Sequence, residues 1–334
     1  MTTELAPDFR PRYHELHRVG RGGWWRSLVG SLVLLLLVFG VVPAVLGLVA
    51  LVALLVGGTS AEEAGALLDV TQGVTPMGLA VLNLLLGSAI ASSWFVLWLF
   101  HRLKPRWLSS VAPRLRWRFL LACLPLSVVA LVASLGVALF LPLADGAEPV
   151  GAVNDFTTTT RDFLLVIALL TPLQAAGEEY VFRGYLTQAF GSLLRWRRVS
   201  LVLAVVVPSL LFALAHGVGQ SAPVFFDRFA FGVVAGILVI RTGGLEAAIA
   251  MHVLNNFLAY GMALAFGDMT EALNATGPAS PWMIVSTLVQ SLVYLGLASW
   301  VAKAMGLVNV GPPVGGVLSR PPADPELVGP APRV

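Results

Sequence analysis

Long apolar stretches alternate along this chain with short connections that carry nearly all of its charge. Each stretch runs for about 20 residues, enough for a helix to cross a ~30 Å hydrocarbon layer at 1.5 Å per residue. The pattern predicts eight helices, at approximately 28 to 56, 77 to 100, 118 to 143, 162 to 186, 200 to 217, 224 to 240, 245 to 266 and 282 to 304. The expected fold class is therefore all-α, a polytopic transmembrane helical bundle. The first stretch is too long for a signal-peptide core, and Gly57-Gly58-Thr59-Ser60 after it is a poor cleavage site, so it reads as a retained helix.

Charge placement orients the bundle. Arg10, Arg12, Arg18, Arg21 and Arg26 precede the first span, and Arg102, Lys104, Arg106, Arg114, Arg116 and Arg118 follow the second. Acidic residues dominate the alternate connections, with Glu62, Glu63 and Asp69 after the first span and Asp145, Glu148 and Asp155 after the third. By the positive-inside rule both termini are expected in the cytoplasm, with residues 1–27 a basic arm, 28–306 the membrane domain and 307–334 a disordered Pro- and Gly-rich tail. His14, His17 and His101 fall in basic connections and are expected to be solvated.

Composition agrees. Of 334 residues 57% are hydrophobic and 12% charged, and the mean hydropathy is +0.84, more apolar surface than one aqueous core could hide. The basic balance, pI near 9.3, is accounted for by topology and calls for no nucleic-acid partner. Cys123 is the single cysteine, which excludes a disulfide framework and a cysteine metal cluster.

Several polar residues contradict the apolar pattern. In the fourth span, LLTPLQAAGEEYVFRGYL holds Glu178, Glu179 and Arg183; PSLLFALAHG closes the fifth on His216; GGLEAAIAMHVLNNFLAY puts His252, Asn255 and Asn256 in the seventh. An ionisable group at helix centre costs roughly 2.5 to 3.5 kcal/mol on insertion scales, so the cluster requires a compensating reason. Glu179 and Arg183 are four apart and share a face, whereas Glu178 points about 100° away. Arg183 is thus expected to hold Glu179 ionised and leave Glu178 free for proton transfer. His252 and Asn256, and likewise Phe212 and His216, also share faces. A carboxylate with one His can activate water, and a second His with an Asn amide can donate to an oxyanion. Interhelical hydrogen bonding alone explains a lone polar residue in a span, but accounts poorly for two adjacent Glu, an Arg, two His and an Asn spread over three helices. Phe212 taken singly reads as lipid-facing or core. Glu246 reads as an N-terminal helix-dipole partner, and Asp227 and Arg228 as interfacial residues.

In sequence order, EEYVFRG resembles the EExxxR motif, FALAH the FxxxH motif and HVLNN the HxxxN motif of the CPBP family, the CAAX protease and bacteriocin-processing (Abi) family. FGVVAGILVIRTGGL resembles the segment that family carries between its second and third motifs, and the likeness covers roughly residues 165 to 262. The resemblance implies an intramembrane glutamic endopeptidase, similar to type II CAAX prenyl endopeptidases. It would make Glu178 the water-activating base assisted by His216, Glu179 and Arg183 a supporting pair, His252 and Asn256 the oxyanion donors, and Phe212 a pocket-shaping residue. Glu246 departs from the apolar or aromatic residue expected in relatives. The implied substrate is a membrane-associated peptide or protein in the bilayer, with no cofactor; family members process prenylated proteins or take part in peptide maturation, bacteriocin immunity and regulation of membrane proteins. The Arg-dominated, Lys-poor usage looks bacterial, placing the chain in a cytoplasmic membrane. Three rivals remain: a zinc protease with His216, His252 and Glu178 as ligands, for which no HExxH helix exists and few second-shell acceptors are evident; a transporter using these residues as a proton relay; and a catalytically idle scaffold for a partner membrane protein.

Overall fold

The computed structural model describes residues 6, 8–142, 152–217, 219–274 and 280–314. Among the described residues eight helices are long and apolar enough to cross a membrane: α1 Trp24–Val56, α2 Pro76–His101, α3 Trp117–Ala138, α4 Thr158–Gly191, α5 Arg197–Ala215, α6 Ala222–Thr242, α7 Glu246–Phe266 and α8 Met283–Ala304. Among the described residues there is no strand, only the isolated bridges Arg12 to Val310 and Ser110 to Gly244. The chain is an all-α, multi-pass integral membrane protein. Local chemistry sets several ends. Thr75 Oγ1 accepts from the Gly78 N–H at 2.9 Å just before Pro76 opens α2, and Gly243 at φ +73° lets the chain leave α6 for α7.

Helix α4 packs against α2 and against α7, α7 also lies on α3, α5 lies on α6, and α8 lies on α3 and α6. The second half of α1 buries no residue and faces outward. Where α2 crosses α4 the backbones nearly touch: a Cβ on Gly177 would stand 2.0 Å from the Leu86 carbonyl oxygen. Only glycine permits that approach, and it seats the helix at the residue before Glu178. Apolar packing does not drive association within lipid, so buried polar contacts contribute to holding the seams. Asn83 donates to Thr171 at 3.1 Å between α2 and α4, Gln290 donates to Asn255 at 3.1 Å between α8 and α7, and Tyr294 donates to the Ala247 carbonyl at 2.8 Å.

Glu246 opens α7 as expected, yet a helix dipole is not its principal partner. Arg116 grips its carboxylate with Nε at 2.9 Å and Nη2 at 2.6 Å, adds its own backbone N–H at 2.8 Å, and donates to the Thr242 carbonyl at 2.9 Å. The pair is buried and clamps the connection before α3 onto the turn between α6 and α7.

The three solvated histidines are a second correction. His14, His17 and His101 are each about 1% exposed, because the short 3₁₀ helix Tyr13–Arg18 wedges between the ends of α2 and α4. Tyr13 donates to the Leu108 carbonyl, and Arg18 donates to the carbonyls of Gly191 at 3.0 Å and Leu194 at 2.7 Å. His17 stacks on His101 with ring centres 3.9 Å apart. Gly191 makes room, since a Cβ there would lie 2.3 Å from the His14 carbonyl oxygen. A hexapeptide carrying Glu15, Arg18 and two histidines reads as a surface segment until tertiary contacts cover it. The arm also meets the C-terminal segment, where Gly311 donates to the Pro11 carbonyl at 2.8 Å and Val314 to the Phe9 carbonyl at 3.0 Å. The chain therefore keeps a hydrogen-bonded path beyond Leu307, where the tail was expected to begin. Residues 315–334 of that tail, and Asp145 and Glu148, lie outside the described residues.

Burial lowers the His14 pKa to about 4 from 6.5, opposed by Glu15 and reinforced by Arg18, Arg12 and Arg197, and burial with the His101 neighbour holds His17 well below its ordinary value. Both imidazoles stay neutral in the fold at pH values where the unfolded chain binds protons. Stability is then complete above about pH 6.5 and declines as pH falls toward 4. Thermal unfolding of detergent-solubilised protein should show a lower Tm at pH 5 than at pH 7.5, and His14→Leu should flatten part of that slope. An unchanged slope in the variant would contradict the burial argument.

Candidate active site

Helix α4 does not keep a uniform pitch through the polar cluster. Thr158–Glu179 is α-helical, Tyr180–Leu186 is π-helical, and the α form resumes at Thr187. Thr187 Oγ donates to the Phe182 carbonyl at 3.1 Å across this widened turn. Such π segments recur at functional sites. This one carries Arg183.

The two glutamates are held differently. Glu179 is fully buried, and its Oε1 accepts from Arg183 Nη1 at 3.0 Å and from His252 Nδ1 at 2.8 Å. The Arg183 guanidinium also lies 4.0 Å from the Phe212 ring centre and 5.7 Å from that of Phe231. Two aromatic faces thus help to compensate a buried cation. Glu178 keeps a 12% exposed side chain. Its Oε1 accepts from Gln174 Nε2 at 2.6 Å, while Oε2 has no hydrogen-bond partner and stands 3.7 Å from His252 Nε2. Gln174 Oε1 in turn accepts from Asn256 Nδ2 at 2.9 Å. Asn256, Gln174, Glu178, His252, Glu179 and Arg183 therefore form one polar line across α4 and α7.

Five of the seven residues singled out in the sequence, Glu178, Glu179, Arg183, His252 and Asn256, meet in that line. Phe212 is the aromatic hub beside it, 5.3 Å from Phe182, 5.9 Å from His252 and 4.7 Å from His216 between ring centres. His216 stands apart. It caps the end of α5 at an exposed position, and its Nδ1 pairs with the Phe212 carbonyl at 2.8 Å with no direct hydrogen bond to Glu178 among the described contacts. With Nδ1–H donating to that carbonyl, Nε2 retains its lone pair. Gln174 and Phe231 went unnoticed in the sequence. Gln174 carried a usable signal, being an amide in an apolar run four residues before Glu178; Phe231, one Phe among several in α6, carried none. Asp227 does more than face the interface, since Thr287 of α8 donates to it.

The residues fit zinc poorly. Among the described residues no three His, Cys, Asp or Glu side chains are placed to hold a metal ion. His252 does have the second-shell acceptor that the sequence did not reveal, in Glu179, but that contact equally orients the ring for hydrogen bonding.

Residues 160–258 match the family described as type II CAAX prenyl endopeptidase Rce1-like. The likeness is to this segment of the chain. The segment contains all seven candidate residues and nearly coincides with the 165 to 262 stretch marked out by the three motifs. The chain is 30% identical over 161 residues to the uncharacterised protein YyaK of Bacillus subtilis (strain 168), covering 46% of this chain and 53% of that protein. It is 30% identical over 118 residues to an uncharacterised 24.3 kDa protein of Escherichia coli, covering 35% of this chain and 51% of that protein. Against the membrane-embedded CAAX protease MroQ of Staphylococcus aureus (strain USA300) it is 34% identical over 95 residues, 28% of this chain and 36% of that protein. The chain thus spans about half the length, or less, of these curated relatives. No solved structure matches. These bacterial relatives accord with a bacterial membrane location.

The Rce1-like segment buries one carboxylate paired with an arginine, Glu179, and one without an arginine partner, Glu178, and the two should respond differently to substitution. Arg183→Ala strands the Glu179 charge and should cost about 3 to 5 kcal/mol of stability. Glu178→Gln keeps an acceptor for Gln174 and should change stability by less than about 1 kcal/mol. Equal unfolding curves for the two purified variants would contradict this division.

Proposed function

We propose that this chain is an intramembrane endopeptidase that hydrolyses a peptide bond in a membrane-associated peptide or protein through a water activated by Glu178. One observation carries the reading. Each of the two adjacent carboxylates keeps its Oε2 without a hydrogen-bond partner, but Glu179 is fully enclosed and held by Arg183 and His252, whereas Glu178 has no arginine partner and keeps a 12% exposed side chain. The name of the MroQ relative, a membrane-embedded CAAX protease, supports the same class of chemistry.

In the proposed step Glu178 takes a proton from water as the water oxygen attacks the scissile carbonyl carbon. The tetrahedral oxyanion accepts hydrogen bonds from His252 and Asn256, and its collapse sends a proton from Glu178 to the leaving amine. His216, with Nε2 free, assists proton transfer. The hydrogen bonds constrain these roles. His252 Nδ1–H is committed to Glu179, so His252 can donate through Nε2 only when both ring nitrogens carry protons. Asn256 gives one amide N–H to Gln174 and keeps the second for the oxyanion. Gln174 is thereby a positioning residue, holding the base with its amide and the oxyanion donor with its carbonyl. The proposal assigns no metal or other cofactor.

The scaffold reading has one feature in its favour, since the polar line is also suited to lock α4 to α7. Activity separates the two. Cleavage of a reporter-peptide library by purified protein in lipid nanodiscs should disappear in Glu178→Gln and His216→Ala with folding retained. Asn256→Ala should lose about a hundredfold to a thousandfold in rate with little change in stability, and metal-free protein should cleave as before. Retained cleavage in Glu178→Gln, or cleavage that vanishes on zinc removal and returns with zinc, would overturn the proposal.

A further inference from the structure

A groove of about 1280 Å³ runs between α2, α3, α4 and α7 on a part of the bundle that contains none of Glu178, Glu179, Arg183, His216, His252 or Asn256. Small or ring-shortened side chains create it. Ala168, Pro172 and Ala176 of α4 face Pro125 of α3 and Ala250 and Val253 of α7, where larger residues would fill the gap. Leu120, Leu124, Leu169 and Leu173 continue the apolar wall. Pro125, Val128, Ala168 and Leu169 are exposed, so the groove opens sideways to the space a bilayer occupies.

Its polar end is of one sign. Lys104, Arg106 and Arg114, all exposed, line the rim where α2 ends and α3 begins, and no acidic residue lines the groove. Among the described residues none of these three side chains forms an ion pair, although the neighbouring Arg116 is fully engaged by Glu246. Trp94 and Trp117, 40% and 63% exposed, stand at the same end. Tryptophan and basic side chains together are the signature of headgroup depth.

We infer that this groove binds one anionic phospholipid, its phosphate held by Lys104, Arg106 and Arg114 and its acyl chains lying along α3, α4 and α7. Three unpaired cations above a largely apolar cleft complement a molecule with one anionic head and long hydrocarbon tails. A small polar ligand would leave the apolar walls unfilled, since small-molecule sites occupy about 300 to 1,000 Å³. A zwitterionic lipid carries the same phosphate but adds a cation of its own beside the three, so its net charge compensates none of them. Basic pockets between membrane helices take anionic headgroups for this reason, and each basic residue near the surface strengthens retention about fivefold.

Native mass spectrometry of the full chain in micelles, offered dioleoylphosphatidylglycerol and dioleoylphosphatidylcholine in equal amounts, tests the assignment. One phosphatidylglycerol should remain bound and should raise the Tm, and millimolar inorganic phosphate should not displace it. The triple variant Lys104→Ser, Arg106→Ser, Arg114→Ser should retain phosphatidylglycerol no better than phosphatidylcholine, a loss on the order of a hundredfold. Ala168→Phe, at an exposed wall position, should expel the lipid while the protein stays monodisperse. Equal retention of the two lipids by the unaltered chain, or undiminished preference in the triple variant, would overturn the assignment. So would displacement of the lipid by a lipidated peptide at equimolar concentration, which would give the groove to a substrate's alkyl chain.

Discussion

A single buried carboxylate organises this protein. Glu179 has no accessible surface, and its charge is supportable inside a membrane domain only because Arg183 and His252 both donate to its Oε1. Those two contacts fix much else. They tie α4 to α7, set the orientation of the His252 ring, and draw the Arg183 guanidinium over Phe212 so that α5 and α6 close around it. Removing Arg183 would leave the Glu179 carboxylate with only the imidazole of His252 beside it.

The rest of the structure can be read as support for that charge cluster. The glycine at 177 lets α2 press onto α4 beside it, the π-helical turn carries Arg183, and the Arg116 to Glu246 clamp fixes the start of α7, six residues before His252. Gln174 completes the arrangement by fastening Glu178 to Asn256. In a low-dielectric interior such a line of hydrogen bonds is specific because each unmade bond is costly. Glu178 is the carboxylate without an arginine partner, and the proposed chemistry depends on that exception.

Much of this was legible from residue order. Eight spans followed from apolar run length, and the pairing of Glu179 with Arg183 followed from a four-residue spacing within one helix. Contacts between helices were harder. That Glu179 also accepts from His252, or that Glu246 meets Arg116, depends on how α3, α4 and α7 rotate against one another, which no periodicity encodes. The N-terminal histidines misled for a related reason: local polarity suggested solvent, while burial came from Tyr13, Arg18 and the ends of α2 and α4 folding over them. His216 was correctly placed at the end of α5, but its distance from a hydrogen bond with Glu178 is a tertiary fact. Phe231 had no distinguishing mark among the apolar residues of α6.

The account stands or falls on whether Glu178 activates a water or attacks the peptide itself. A single turnover in H₂¹⁸O, with enzyme in excess over a cleavable reporter peptide, reads this directly by mass spectrometry of product and protein. Water activation predicts one ¹⁸O in the new carboxyl terminus on the first turnover and unlabelled oxygens in the Glu178 side chain. A first-turnover product carrying only ¹⁶O, with the label appearing in Glu178, would show a covalent anhydride intermediate and contradict the central claim.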